Sequence, residues 1–128
     1  MDNMLFMMMY IAHGYPDEPN PITRRYYHQY FTNLPVFISD RKMSNHFLDF
    51  LKNVPVQNYL KTREHLVEWV HMYHNHLNIS RGDPKTTKEQ TINAYFAKYD
   101  TTPKVSDAVK LAGLGVLALS VWAGARFL

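Results

Sequence analysis

The 128-residue chain contains no cysteine, which excludes disulfide bonds and with them a secreted scaffold that depends on covalent staples. It also lacks an excess of one charge. The 14 Lys and Arg against 11 Asp and Glu leave a formal net charge of +3, and the adjacent basic pairs are Arg24-Arg25 and Arg41-Lys42. Positive charge scattered in this way makes no nucleic-acid footprint. There is no glycine-rich phosphate loop, internal repeat or low-complexity stretch. The apolar run 4–12 follows Asp2 without a basic leader or a small-residue cleavage site, so no signal peptide is expected. With 46% hydrophobic and 20% charged residues, the chain has the balance of one small globular unit that can bury a modest helical core.

Proline supplies the punctuation that glycine does not. Pro16, Pro19 and Pro21, then Pro35, Pro55, Pro84 and Pro103, mark the connections, because proline lacks the amide proton that continues a helix. Between them helices are expected near 4–14, 21–33, 40–53, 62–81, 87–99 and 105–127. Asn20 before Pro21 reads as an N-cap with proline in the first turn, and Thr87-x-x-Gln90 reads as a capping box. In the 62–81 helix Leu66, Trp69, Val70, Tyr73 and Leu77 recur at helical spacing as one apolar stripe. The expected architecture is all-α, a small antiparallel four-helix bundle with a short fifth helix over 1–100.

The most informative string lies in that same helix: Arg63-x5-Trp69-x4-His74-Asn75-x-x-Asn78, followed by Gly82 and Pro84. It resembles the Erv/ALR sulfhydryl oxidases, whose pattern there is R-x5-W-x4-H-N-x-V-N-x-x-L-G-K-P. Ala12-x-x-Tyr15-Pro16-x-x-Pro19 is similar to the family's A-x-x-Y-P-x-x-P, and Tyr30-Phe31-Thr32-Asn33-Leu34-Pro35 to the stretch leading into its catalytic C-x-x-C. The resemblance spans roughly residues 4–99. It implies a helical flavoenzyme fold in which Trp69, His74, Asn75 and Asn78 hold residual flavin-site positions.

The departures fall on the chemistry. With Leu34-Pro35 in register, the C-x-x-C positions are Val36 and Ser39; with His46-Phe47 in register they are Asp40 and Met43. Neither pair supplies the thiolate that disulfide exchange requires. The family's W-x-x-L-H lines up with Leu5 and with Met8-Met9, and its phosphate-side lysine with Asp83, whose negative charge would repel a pyrophosphate. Leu5, Met8 and Met9 are expected to fill the flavin cleft. No catalytic residue is assigned and no cofactor is expected. Under this reading His74, Asn75 and Asn78 persist as helix-to-helix hydrogen bonds and as a cap leading to Gly82, since buried polar groups are costly to leave unpaired. The competing reading keeps a residual FAD pocket. A zinc site from His71, His74 and His46 is the alternative chemistry, and no metal is assigned.

Beyond a linker over 101–110, the run 111–128 is apolar, with Arg126 its single charge. As a helix it would be roughly 27 Å long, close to the hydrocarbon thickness of a bilayer. A transmembrane anchor is expected there, carried by Leu111, Leu114, Val116, Leu117, Leu119, Val121 and Trp122. Lys104 and Lys110 on its amino-terminal side set the globular part on the cytoplasmic face. Arg24, Arg25, Tyr26, Tyr27 and Tyr30 form a basic aromatic band of the composition enriched at interfaces, and the resemblance implies dimerisation through this region; Tyr27, Tyr30 and Phe31 also share a helical face, so core packing accounts for some of them equally well.

The function expected from these readings is a non-catalytic, membrane-anchored structural protein contacting other proteins of a large assembly. Since large DNA viruses carry enzymes of this family, the setting expected by analogy is a minor capsid component at the virion inner membrane. The alternatives are an FAD-binding oxidase-like protein relying on partner thiols, and an accessory subunit of an organellar membrane complex.

Overall fold

The computed structural model describes residues 1–101. These form five α-helices: α1 (Asn3–His13), α2 (Pro21–Asn33), α3 (Arg41–Asn53), α4 (Arg63–Ser80) and α5 (Lys88–Thr101). Single 3-10 turns at Leu34–Phe37 and Val56–Tyr59 flank α3, and the described residues contain no strand. Met1–Tyr95 make one compact unit, and a second begins at Phe96, of which residues up to Thr101 are described.

Each helix starts where a short polar side chain takes up an amide left unpaired at the helix end. Asp2 accepts from the Leu5 amide at 2.9 Å, Asn20 from Thr23 at 2.7 Å, Asp40 from Met43 at 3.1 Å and Thr62 from His65 at 3.2 Å. Before α5, Thr87 and Gln90 exchange both bonds of the expected capping box, at 2.9 and 3.1 Å. Helix α4 stops at a Schellman turn, in which the Gly82 amide bonds the Ile79 carbonyl at 3.1 Å and the Asp83 amide bonds Asn78 at 2.8 Å. Gly82 has φ +77°, a left-handed conformation that glycine adopts without a Cβ penalty.

The core is built on α4, against which α1 and α3 pack. The stripe Leu66, Trp69, Val70, Tyr73 and Leu77 is buried throughout. Around Trp69 stand Phe31 at 5.2 Å, Phe50 at 5.4 Å and Phe47 at 6.0 Å between ring centroids, mostly edge-on or tilted as aromatic quadrupoles favour. Trp69 also donates its indole N–H to the Val54 carbonyl at 2.8 Å, which anchors the end of α3.

Two motifs far apart in sequence meet here. Arg63 donates to the Tyr15 carbonyl at 2.7 Å and lies 3.6 Å from Asp17, while the Tyr15 hydroxyl donates to the Leu60 carbonyl at 2.7 Å. The arginine and the Tyr-Pro loop therefore brace the start of α4 against the end of α1. Among the described residues no helix is long and apolar enough to cross a membrane. The expected transmembrane segment, with Leu111, Leu114, Val116, Leu117, Leu119, Val121 and Trp122, lies outside the described residues, as does the linker beyond Thr101.

Candidate functional site

Asn75 is the hub of the polar residues on α4. The Thr86 backbone amide, which can only donate, lies 2.9 Å from Asn75 Oδ1, and Asn75 Nδ2 donates to the Thr86 carbonyl at 2.9 Å. That fixes the side-chain orientation, so Nδ2 also donates to His71 Nε2 at 3.3 Å. His71 must then carry its proton on Nδ1 and donate to the Thr91 hydroxyl at 2.9 Å. Thr91 donates in turn to Thr86 Oγ1 at 2.9 Å, and the Thr86 hydroxyl returns to Asn75 Oδ1 at 3.3 Å. The result is a closed ring, His71–Thr91–Thr86–Asn75, that ties the loop after α4 and the start of α5 to the body of α4.

Asn78 is buried beside this ring and donates to Asn75 Oδ1 at 3.4 Å. Trp69 lies wholly in the aromatic core. His74 is half-buried, and its Nδ1 has no hydrogen-bond partner among the described residues; the same holds for His76 Nε2. The four residues matched to flavin positions thus divide: Asn75 and Asn78 are taken up by internal bonds, Trp69 by packing, and His74 keeps an unpaired nitrogen. Asp83 is exposed.

Burial pushes the His71 and His74 imidazoles below the usual histidine range; for His71, Glu68 opposes the shift and Lys88 adds to it. Because the unfolded chain takes up these protons first, stability is fully present above the unfolded value and is lost as pH falls below about 6.5. The limiting slope is about 1.4 kcal/mol per pH unit for each histidine. Urea denaturation between pH 7.5 and 5 should show this loss, and His71→Gln should remove one proton's share of the slope.

The positions matched to the C-x-x-C surround the start of α3. Val36 is 79% exposed on the 3-10 turn. Asp40 caps the helix through Met43, and the Met43 sulfur accepts the Tyr73 hydroxyl at 3.5 Å. Reactive thiols gain from a helix N-terminus of this kind, yet here its free amide is spent on a carboxylate cap. Burial raises the Tyr73 phenol far above its ordinary range, so it remains a donor.

A cleft of about 620 Å³ opens beside this point, between the beginning of α1, the 34–40 connection and Arg81. Leu5, Met8 and Met9 are buried, and Met8 also lines the open cleft. Of His71, His74 and His46, the last packs its ring on His76 at 5.7 Å. No group of three or more His, Cys, Asp or Glu side chains among the described residues could hold a metal ion.

On α2, Arg24, Arg25 and Tyr26 are exposed, Tyr26 by 62%, and Tyr30 is 37% exposed. Tyr27 instead packs on Tyr15 at 4.6 Å and belongs partly to the core. Sequence reasoning missed Thr86, Thr91 and His71 as partners of Asn75. The threonines carry no periodic signal, and only the return of the chain after Gly82 brings them to α4.

A profile of the Erv1 / Alr family matches residues 4–100. The chain is 21% identical over 91 residues to a protein of Invertebrate iridescent virus 3 named "Putative FAD-linked sulfhydryl oxidase 096R", covering 71% of this chain and 62% of that protein's length. The fold matches the crystal structure of the yeast Erv1 core with a TM-score of 0.66 at 16% identity, over 72% of this chain and 76% of that one.

Proposed function

The chain belongs to the Erv1 / Alr family, and from that premise we propose that it uses the family's helical fold as a non-catalytic scaffold. The observation that carries this reading is the absence of cysteine from the whole sequence. Electron transfer from substrate thiols begins with thiolate attack on a disulfide, and neither Val36 and Ser39 nor Asp40 and Met43 can form one. The hydrogen-bond ring supports it further, because Asn75 has no free donor or acceptor to offer a cofactor.

In this reading the protein acts by contact. The exposed Arg24, Arg25, Tyr26 and Tyr30 serve a homodimer or a larger assembly, and the apolar run 111–128 serves a lipid bilayer. The iridescent-virus relative supports a virion setting, with a minor capsid component at the inner membrane as its specific form. A second reading, an FAD-binding protein that borrows thiols from a partner, is favoured by the open cleft beside Met8, Asp40 and Met43.

Absorbance spectroscopy of the purified full chain decides between the two. The expected result is no flavin band near 450 nm, no change on FAD titration and no oxygen consumption with dithiothreitol. A stoichiometric yellow cofactor would overturn the scaffold reading and turn attention to a partner's thiols.

A further inference from the structure

We propose that the cleft between α1 and α3 is a binding site for a single soft monovalent cation, Cu(I) in chemical class, held by the thioethers of Met4, Met7, Met8 and Met43. All four side chains line this one cavity of about 620 Å³. Positions 4, 7 and 8 stand at i, i+3 and i+4, the spacing that puts side chains on one helix face, and Met43 answers them from the first turn of α3.

The apolar residues that α1 contributes to the cleft, Met4, Met7 and Met8, are all methionines, while Tyr30, Leu34, Phe37 and Ile38 complete its apolar wall from the other side. Packing would be served as well by leucine, which loses less rotamer entropy on burial and fixes a more definite geometry. Thioether sulfur brings a property that leucine lacks: a soft lone pair that selects Cu(I) over the harder divalent ions. Since the chain has no cysteine and no cluster of three His, Asp or Glu side chains among the described residues, methionine is the soft donor it can offer.

The surroundings suit one positive charge. Asp2 on the cleft wall is already paired with Arg81 at 3.6 Å, and Asp40 adds a carboxylate at the rim. Met43 is oriented from behind by the Tyr73 hydroxyl, which occupies one lone pair of a sulfur that has two. Met7 is 50% exposed, so an ion can enter from solvent, while Met8 is 1% exposed and closes the floor. The site rests on the scaffold reading, since a flavin in the same cleft would exclude the ion, and the absorbance spectrum of the full chain reads flavin separately from ion binding.

The test is a titration of the full chain with Ag(I), a redox-inert soft monovalent ion, read by the ε-methyl resonances of 13C-labelled methionine. The expected result is saturation at one ion per chain with shifts at Met4, Met7, Met8 and Met43, while Met9 in the core and Met72 on α4 stay in place. The double variant Met7→Leu and Met43→Leu should bind at least tenfold more weakly with unchanged helical circular dichroism, and Met72→Leu should bind as the parent does. Should the double variant fail to fold, the shift pattern of the parent decides. Saturation at Met9 or Met72 instead of these four methyls, unsaturated shifts at all exposed methionines, or no shift at any methyl would each overturn the proposal.

Discussion

Replacing Trp69 with alanine is expected to remove about 3–5 kcal/mol of stability, enough to unfold much of a domain this small at physiological temperature. Trp69 is fully buried at the centre of the aromatic cluster, in edge or tilted contact with Phe31, Phe47 and Phe50. Truncation leaves a cavity lined by three rings that cannot collapse together, because Phe31 is held on α2 and Phe47 and Phe50 are held on α3. It also strands the Val54 carbonyl, whose donor is the indole N–H. Trp69→Phe refills part of the volume but not the hydrogen bond, so its loss should fall near half as large. Urea midpoints for the two variants check the ordering; a Trp69→Ala midpoint within error of the parent would show that the core is not organised around this ring.

The residues that carry the largest packing effects are those most legible in the sequence. A stripe at helical spacing with Trp69 in it announces a buried face, because few helices can hide that much apolar surface except against other helices. Two caps were legible for the same local reason: Asn20 precedes Pro21, and Thr87 precedes Gln90 by three, so the starts of α2 and α5 are written in nearby residues. The bounds of α1 to α5 accordingly fall within a residue or two of those expected, as α2 at Pro21–Asn33 and α4 at Arg63–Ser80 show.

What escaped was non-local or degenerate. The 3-10 turns at Leu34–Phe37 and Val56–Tyr59 continue the chain between helices, where proline signalled only a break. For Tyr27 the sequence left a surface band and core packing equally open, and Tyr15, which arrives from the preceding loop, decides for packing. Nothing local to the methionines of α1 says that Met43 lines the same cleft.

The second large effect concerns a residue that family likeness marks for a cofactor and the structure gives a different task. Asn75→Ala is expected to cost about 2–4 kcal/mol, more than truncating a half-buried amide on a helix surface usually does. The change removes both the donor and the acceptor that pair with Thr86, and it leaves His71 Nε2 without its donor. Those groups stay behind, part-buried, and the penalty is their desolvation and not simply the bonds lost. Asn75→Asp discriminates further: a carboxylate can still accept from the Thr86 amide but must face the Thr86 carbonyl, so it should be nearly as damaging at neutral pH and partly recover when protonated. Hydrogen exchange locates the damage, since the amides of residues 86–91 should lose protection first while those of α3 do not. If Asn75→Ala left both stability and exchange unchanged, the ring would not be what holds the loop to α4. Asn75 would then be free to serve a ligand, which is the outcome the scaffold reading forbids.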